Sequence, residues 1–330
     1  MKDISFRALL VNKDEQAFTI KVTNLKVSDL PEGNVIIKVA YSSINFKDGL
    51  AATPNGKIVN VYPHVPGIDM VGTVVSSQDV RYNVGDEVIA TSYEIGVSRF
   101  GGFSEYARIP ADWIVPLPKG LSMKQAMIYG TAGFTAALSI QRLEENGVTP
   151  DNGPVLVSGA TGGVGSSAVS MLAKLGYHVV ASTGKESEHD FLYDIGAKEI
   201  ISRQELQPEK VRPIDKQRWA AAIDPVGGNT LAYILSTMKY GGSVAVSGLT
   251  GGSNVSTTVF PFILRGVNLL GIDSVYCPMS TRSALWERMA NDMKPDKLEK
   301  ITTEVTLDEL AITLPLILEG NVKGRTVLKL

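Results

Sequence analysis

The chain reads as an α/β protein, a doubly wound parallel sheet joined to a partly barrel-like, β-rich domain. Three observations predict this. From residue 154 onward, strand-like and helix-like segments alternate, and a βαβα order covers both faces of a parallel sheet with helices. A glycine cluster, "SGATGGVG" at 158–165, lies between the first of those strands and the first of those helices. The chain up to about residue 120 instead holds short alternating apolar runs cut by glycine, proline and aspartate, the pattern of half-buried strands.

The elements follow in order. "NVIIKVAYSS", "DMVGTVVSS" and "DEVIATS" are predicted strands of a partly closed barrel. After "PLPKGLS" a helix starts at Ser122, with Gln125 as its capping-box partner, and runs through "AMIYGTAGFTAALSIQRL". "PVLVSG" is a buried strand, "VGSSAVSMLAKLG" a helix ended by Gly176, and "HVVAST" the next strand. Strands at "EIIS", "WAAAID", "GSVAVSG" and "VNLLGID" complete the sheet, with helices at "HDFLYDIG" and "TLAYILSTM". The tail gives a strand, a helix capped near Thr306 and a last strand, expected to return to the barrel. The expected domains are therefore 1–121 with 298–330, and 122–297.

Composition narrows the function. A chain of 330 residues suits two domains. Apolar residues make up 44% and charged residues 20%, the balance of a soluble globular protein. A net charge of −2 offers no basic field for nucleic acid. No apolar run suits a bilayer span, and "MKDISFRALL" lacks the apolar core and cleavage site of a signal peptide. The one cysteine, Cys277, cannot close an intramolecular disulfide, as suits a reducing cytoplasm. With histidines only at His64, His178 and His189, ligands for a protein-bound zinc are too few and too scattered.

The glycine cluster carries the chemistry. Ala160, Gly162 and Gly165 fill the three small positions of a dinucleotide fingerprint. A missing Cβ at Gly162 lets backbone amides approach a pyrophosphate, and Gly165 lets helix pack on strand. The helix start adds unbonded N–H groups and the positive end of a dipole. This context predicts a Rossmann-type sheet. An NAD site places an acid about twenty residues on, at the end of the second strand, to hold ribose hydroxyls. Here stand Ser182, Thr183, Gly184 and Lys185, while Arg203 ends the third strand. Hydroxyl donors beside two cations suit a 2′-phosphate, so the expected cofactor is NADPH.

Eight phrases in order carry a family resemblance: "SSINFKDGLA", "PHVPGIDMVGTVV", "VGDEVIA", "GGFSEYARIP", "YGTAGFTA", "GATGGVG", "DPVGG" and "GNVKGRTVL". Over the whole chain they resemble the medium-chain dehydrogenase/reductases, in the zinc-independent, quinone-oxidoreductase-like branch. "PFILRGVNLLGIDSV" and "STGK" are most similar to the acryloyl-CoA reductase subfamily. The resemblance implies a GroES-like β-rich domain beside the Rossmann domain. Zinc-containing relatives carry a cysteine where Asn45 stands and Gly-His-Glu where Gly67, Ile68 and Asp69 stand, so it implies no catalytic metal. It also implies that Tyr41 and Thr131 lie near the nicotinamide. Ala160, Thr161, Gly162, Gly163, Val164 and Gly165 would take the pyrophosphate, and Ser182–Lys185 with Arg203 the adenosine end. Leu249, Ile263 and Ser274 would line the nicotinamide half, with Asn321 approaching from the tail.

Without zinc to polarise an alcohol oxygen, the expected reaction reduces a carbon–carbon double bond conjugated to a carbonyl. Charge grows on the carbonyl oxygen and calls for aimed donors, and the α-carbon takes a proton. Tyr41 and Asn45 are the candidate catalytic residues, and each fits a structural hydrogen bond equally well. Asp224 to Gly228 reads as a ligand contact or as a turn shaped by proline and glycine. Arg99 reads as a site for an acidic substrate group or as a solvated side chain. Three functions stay open: an NADPH-dependent acryloyl-CoA (enoyl thioester) reductase, an NADPH quinone or general enone reductase, and an NADPH-binding protein without turnover. The apolar strand "VNLLGID" is expected at a sheet edge, pairing with its copy in a homodimer.

Overall fold

The computed structural model describes residues 4–330. They divide into two compact units. One runs to Thr131 and takes in Val275–Glu287 and Thr302–Leu330; the other is Ala132–Ser274 with Arg288–Ile301. Residues 122–131 and 275–287 thus cluster with the β-rich unit rather than with the cofactor-type sheet.

The second unit is built on a six-stranded sheet, parallel throughout among the described residues. Its order is Glu199–Ser202, Val179–Thr183, Val155–Val157, Trp219–Asp224, Met238–Val246 and Asn268–Gly271. The chain builds outward from Val155–Val157 in one direction and then in the other. The crevice beside that strand is the switch point where such sheets take ligands. Val155–Val157, Val179–Thr183 and Trp219–Asp224 are buried at every residue, because helices cover both faces. Leu156, Val180, Leu231, Ile234 and Val244 meet in one core cluster. Gly176, at φ 85°, ends the helix Gly163–Lys174 as expected.

In the β-rich unit a seven-stranded sheet has the spatial order Thr302–Thr306, Arg325–Lys329, Val35–Ile44, Asp69–Ser77, Glu87–Thr91 and Ile114–Pro116, and Tyr106–Ile109 also pairs with Val35–Ile44. Ser5–Lys13 and Phe18–Lys26 form a separate hairpin. The tail strand Arg325–Lys329 lies antiparallel to Val35–Ile44, so the C-terminal segment does return to this sheet. Thr306 and Glu309 cap the tail helix reciprocally, Thr306 N–H and hydroxyl each donating to Glu309 at 2.7 Å. The six-residue helix Phe46–Ala51 is too short for periodicity to announce.

The helix Met123–Glu145 starts as predicted, with Ser122 and Gln125 capping each other at 3.2 and 3.3 Å. It is not the continuous helix expected. Gly130 sits at φ 50° and ψ −153°, which breaks the helical ladder there.

Candidate active site

On the parallel sheet, the loops that follow four strands are tied to one another. Ala160 donates its N–H to Ser182 at 3.0 Å, and Ser158 donates its own to Ile223 at 3.1 Å. The Ser158 hydroxyl donates to buried Asp224, which also accepts the N–H of Val226 at 3.2 Å and of Gly227 at 2.9 Å. Burial pushes the Asp224 carboxyl up, and these donors oppose the shift. Asp224 therefore spends its oxygens on holding a turn, and the turn reading of "DPVGG" is the one the geometry supports. A Cβ on Gly227 would lie 2.8 Å from the carbonyl oxygens of Gly248 and Gly252. That close approach docks the turn against the loop carrying Leu249.

The three small positions have different reasons. A Cβ on Gly165 would fall 2.7 Å from Ala160 Cα, so helix and loop touch there. A Cβ on Gly162 would meet only Gly159 O, at an ordinary 3.4 Å. The fold itself leaves room at Gly162, which is the property a loop needs when a ligand's phosphates approach its backbone. The helix begins at Gly163 with no side-chain cap on Gly162, so its first N–H groups are left for solvent or a ligand. Ala160, Thr161 and Gly165 are buried; Gly163 and Val164 are half-buried in the first turn.

At the end of the second strand, Ser182 and Thr183 are buried, and Thr183 Oγ1 accepts the Lys185 N–H at 3.0 Å. The parallel register sets Thr183 opposite Ser202, which brings Gly184 beside Arg203. The corner offers two hydroxyls and two cations, with no carboxylate among Ser182–Lys185. By donor chemistry and by the bare cradle at Gly162, these residues fit a dinucleotide carrying a 2′-phosphate. Leu249 and Ile263 are 65% and 66% exposed, while Ser274 is buried and accepts a hydrogen bond from the Thr135 hydroxyl at 2.8 Å.

In the β-rich unit the hub is Asp69, which is fully buried. One of its oxygens accepts the Thr131 hydroxyl at 2.5 Å. The other accepts from Ser43 Oγ at 2.6 Å, Asn45 Nδ2 at 2.7 Å and Thr131 N–H at 2.9 Å. The kink at Gly130 releases that last N–H from the helix. Arg325, also buried, donates to the carbonyls of Ile128 at 2.9 Å and Ile44 at 3.3 Å, with its third nitrogen 4.0 Å from Asp69. Asp48 accepts the N–H groups of Asn45 at 2.8 Å and Ile68 at 2.9 Å. Burial, and then the charge of Asp69, push the Asp48 carboxyl up to about 7 against those donors. Burial lowers the Arg325 guanidinium, while the charges of Asp69 and Asp48 oppose this.

Of the residues singled out from sequence, Asn45 and Thr131 meet through Asp69, and Tyr41 stands on the same strand as Ser43. Tyr41 is half-buried, and its hydroxyl has no hydrogen-bond partner among the described residues. Asn45 differs, since its amide nitrogen is bonded to Asp69 and, at 3.3 Å, to Asp48. A donor role toward substrate is not left to it. Asn321 is exposed and donates to Glu319 at 3.0 Å. Arg99 lies over the Trp113 ring at 5.5 Å, donates to Glu32 O at 2.6 Å and pairs with Glu94 at 3.5 Å, so its half-exposed side chain is engaged within the protein. Asp69 as a hub, Gly130 and Arg325 are what sequence reasoning missed. An aspartate inside the strand pattern "IDMVGTVV" and an arginine inside "GRTVLKL" were the available signals.

Zinc does not fit this cluster. Asn45 and Asp69 bond to each other rather than diverging around a metal, and the oxygens of Asp69 are already committed to Ser43, Asn45 and Thr131. Among the described residues no group of three or more His, Cys, Asp or Glu is placed to hold a metal ion, and no helix is long and apolar enough to cross a membrane.

Comparison with known proteins agrees with this architecture. Residues 31–119 match the alcohol dehydrogenase GroES-like domain, and residues 163–291 match the zinc-binding dehydrogenase domain. The putative quinone oxidoreductase YhfP of Bacillus subtilis is 58% identical over 98% of this chain and 99% of its own length. A crystal structure of Bacillus subtilis yhfP with NAD bound superposes with a TM-score of 0.98 over 99% of this chain and 100% of the other. The acrylyl-CoA reductase AcuI of Ruegeria pomeroyi is 50% identical over 98% of each chain. The yhdH oxidoreductase of Salmonella enterica, solved in complex with NADP, is 46% identical over 98% of this chain and 99% of its own, with a TM-score of 0.95. The chain belongs to the medium-chain dehydrogenase/reductase family of oxidoreductases, in the quinone-oxidoreductase-like branch that holds the acrylyl-CoA reductases.

Proposed function

We propose that this protein uses NADPH to reduce the carbon–carbon double bond of a short enoyl thioester, with acryloyl-CoA as the reference substrate. The observation that carries the reading is the corner at the end of the second strand, where Ser182, Thr183, Lys185 and Arg203 stand in place of an acid. The name of the Ruegeria relative and the NADP complex of the Salmonella relative support it.

When bound, NADPH supplies a hydride for the β-carbon of the substrate. The α-carbon takes its proton from solvent, and the chain's own residues bind and orient the reactants. Backbone N–H groups of Thr161, Gly163, Val164 and Gly165 hold the pyrophosphate at the helix start, while the Gly162 N–H is bonded to Gly159 O at 3.0 Å. Lys185 and Arg203 hold the 2′-phosphate, aided by the hydroxyls of Ser182 and Thr183. On the parallel-sheet unit, Leu249 and Ile263 offer apolar surface and Ser274 a polar group to the nicotinamide end; Thr131 and Asn321 are assigned to the cofactor by the family resemblance alone. The Tyr41 hydroxyl donates to the substrate carbonyl oxygen as negative charge grows there. Asn45 acts as a positioning residue, fixing the strand end that carries Tyr41 through Asp69.

A Lys185→Ala variant tests the cofactor assignment. It should bind NADPH about tenfold more weakly and NADH unchanged, the worth of one charge-assisted contact. Equal loss for both would refute the 2′-phosphate role, and the NAD complex of yhfP makes the comparison necessary. The name of that Bacillus relative favours a quinone as the second reading. Turnover of both acceptors under one set of conditions separates the two.

The protein works as a homodimer in the cytoplasm. The strand Asn268–Gly271 ends the sheet, with Leu269 43% exposed, and pairing with its copy would cover it. Sedimentation at 35.4 kDa, the mass of one chain, would overturn the dimer, and recovery in a membrane or secreted fraction would overturn the location.

A further inference from the structure

Gly184 has no backbone reason to be glycine. Its φ lies outside the left-handed region, and it is exposed on a turn that tolerates most residues. What a Cβ there would meet is Arg203, with Nη2 at 2.5 Å and Nε and Cζ at 2.7 Å. The guanidinium spans the bare Cα. Its backbone is pinned in place, because Ser202 and Glu205 cap the short turn that starts at Arg203, with bonds of 3.2 and 3.3 Å. The same capping and an ion pair with Arg218 at 3.4 Å occupy Glu205, the nearest acid along the chain. The Arg203 side chain makes no hydrogen bond or ion pair among the described residues. The backbone that carries this cation is fixed, and the side-chain donors are unspent.

We propose that Gly184 is a specificity-determining residue for the 2′ position of the cofactor's adenosine ribose. Lacking a Cβ, it seats the Arg203 guanidinium across the turn, where its planar donors meet a phosphate. The inference rests on the NADPH reading above and adds that the glycine, as well as the cations, sets the preference. An added methyl at Gly184 displaces a flexible surface side chain, so the fold survives while Arg203 loses its seat.

Binding of 2′,5′-ADP and 5′-AMP, measured by titration calorimetry, tests this without turnover. Gly184→Ala should weaken 2′,5′-ADP about tenfold and leave 5′-AMP unchanged. Arg203→Ala should do the same. The double variant should be no weaker than Arg203→Ala alone, because Gly184 acts only through Arg203. Wild-type affinity of Gly184→Ala for 2′,5′-ADP overturns the proposal. So do losses that add in the double variant, or an equal loss for 5′-AMP, since either means the methyl obstructs the nucleotide directly. A wild type that binds both nucleotides equally removes the NADPH reading, and the role of Gly184 with it.

Discussion

Replacing Gly130 by alanine drives a methyl group into the Asp69 cluster. At φ 50° and ψ −153° only glycine is at ease, and a side chain there costs about 1–3 kcal/mol. The new Cβ would fall 2.5 Å from Asp69 Oδ2 and 2.9 Å from Arg325 Nη2, and closer still to Ser43 Oγ. These groups are buried and can withdraw only by giving up hydrogen bonds. One charge-assisted bond lost costs about 1.5–3 kcal/mol. The expected loss is therefore about 2.5–6 kcal/mol, a large share of a typical folding free energy of about 5–15 kcal/mol. Gly147 provides the control, since it has φ 79° and nothing within 4 Å of its Cβ position. Gly147→Ala carries the backbone cost alone, about 1–2 kcal/mol. Urea unfolding of both variants checks the reasoning. Gly130→Ala should lose about 1.5–3 kcal/mol more than Gly147→Ala, and Ser43→Ala added to it should recover part of the loss. Equal losses for the two glycines would refute the packing account of the kink.

Two further outcomes are expected. Tyr41→Phe should lower kcat about a hundredfold with the KM for NADPH unchanged, as when one aimed donor is removed; steady-state rates check this, and an unchanged kcat removes Tyr41 from the chemistry. The Asp48 carboxyl is raised from an ordinary 3.8 to about 7 in the folded state. Between these values the folded chain holds a proton that the unfolded chain has released. Stability is thus fully present below the lower value and falls as pH rises toward the upper one, by at most about 4 kcal/mol. Asp48→Asn should flatten that fall in urea titrations across this range, and an unchanged slope would count against the assignment.

Sequence made the fold legible where local pattern and backbone need coincide. The glycine loop could be placed because strand, helix and second strand flank it within a short span. The corner of Ser182–Lys185 and Arg203 was half legible. Both pieces stand out as cations where an acid is usual, but their contact depends on the register that pairs Thr183 with Ser202. The kink at Gly130 was not legible. "MIYGTAGFTA" reads as one helix, and the reason for the break is a carboxylate from Asp69, far away in the chain. Arg325 was hidden likewise, since nothing near it in sequence shows that a buried acid pair needs its charge. Asn45 stands out in sequence by its position alone, and it loses its donor role only because Asp48 and Asp69 take its amide.

The central claim is the reaction itself, and it is tested most directly by the loss of nicotinamide absorbance with acryloyl-CoA, a quinone and a simple enone, using NADPH deuterated at its transferable position. The account predicts the highest kcat/KM for acryloyl-CoA and a propionyl thioester product carrying deuterium on the β-carbon. Consumption of the quinone with acryloyl-CoA left untouched would contradict the thioester reading, and no turnover of any acceptor would contradict reduction of an activated double bond altogether.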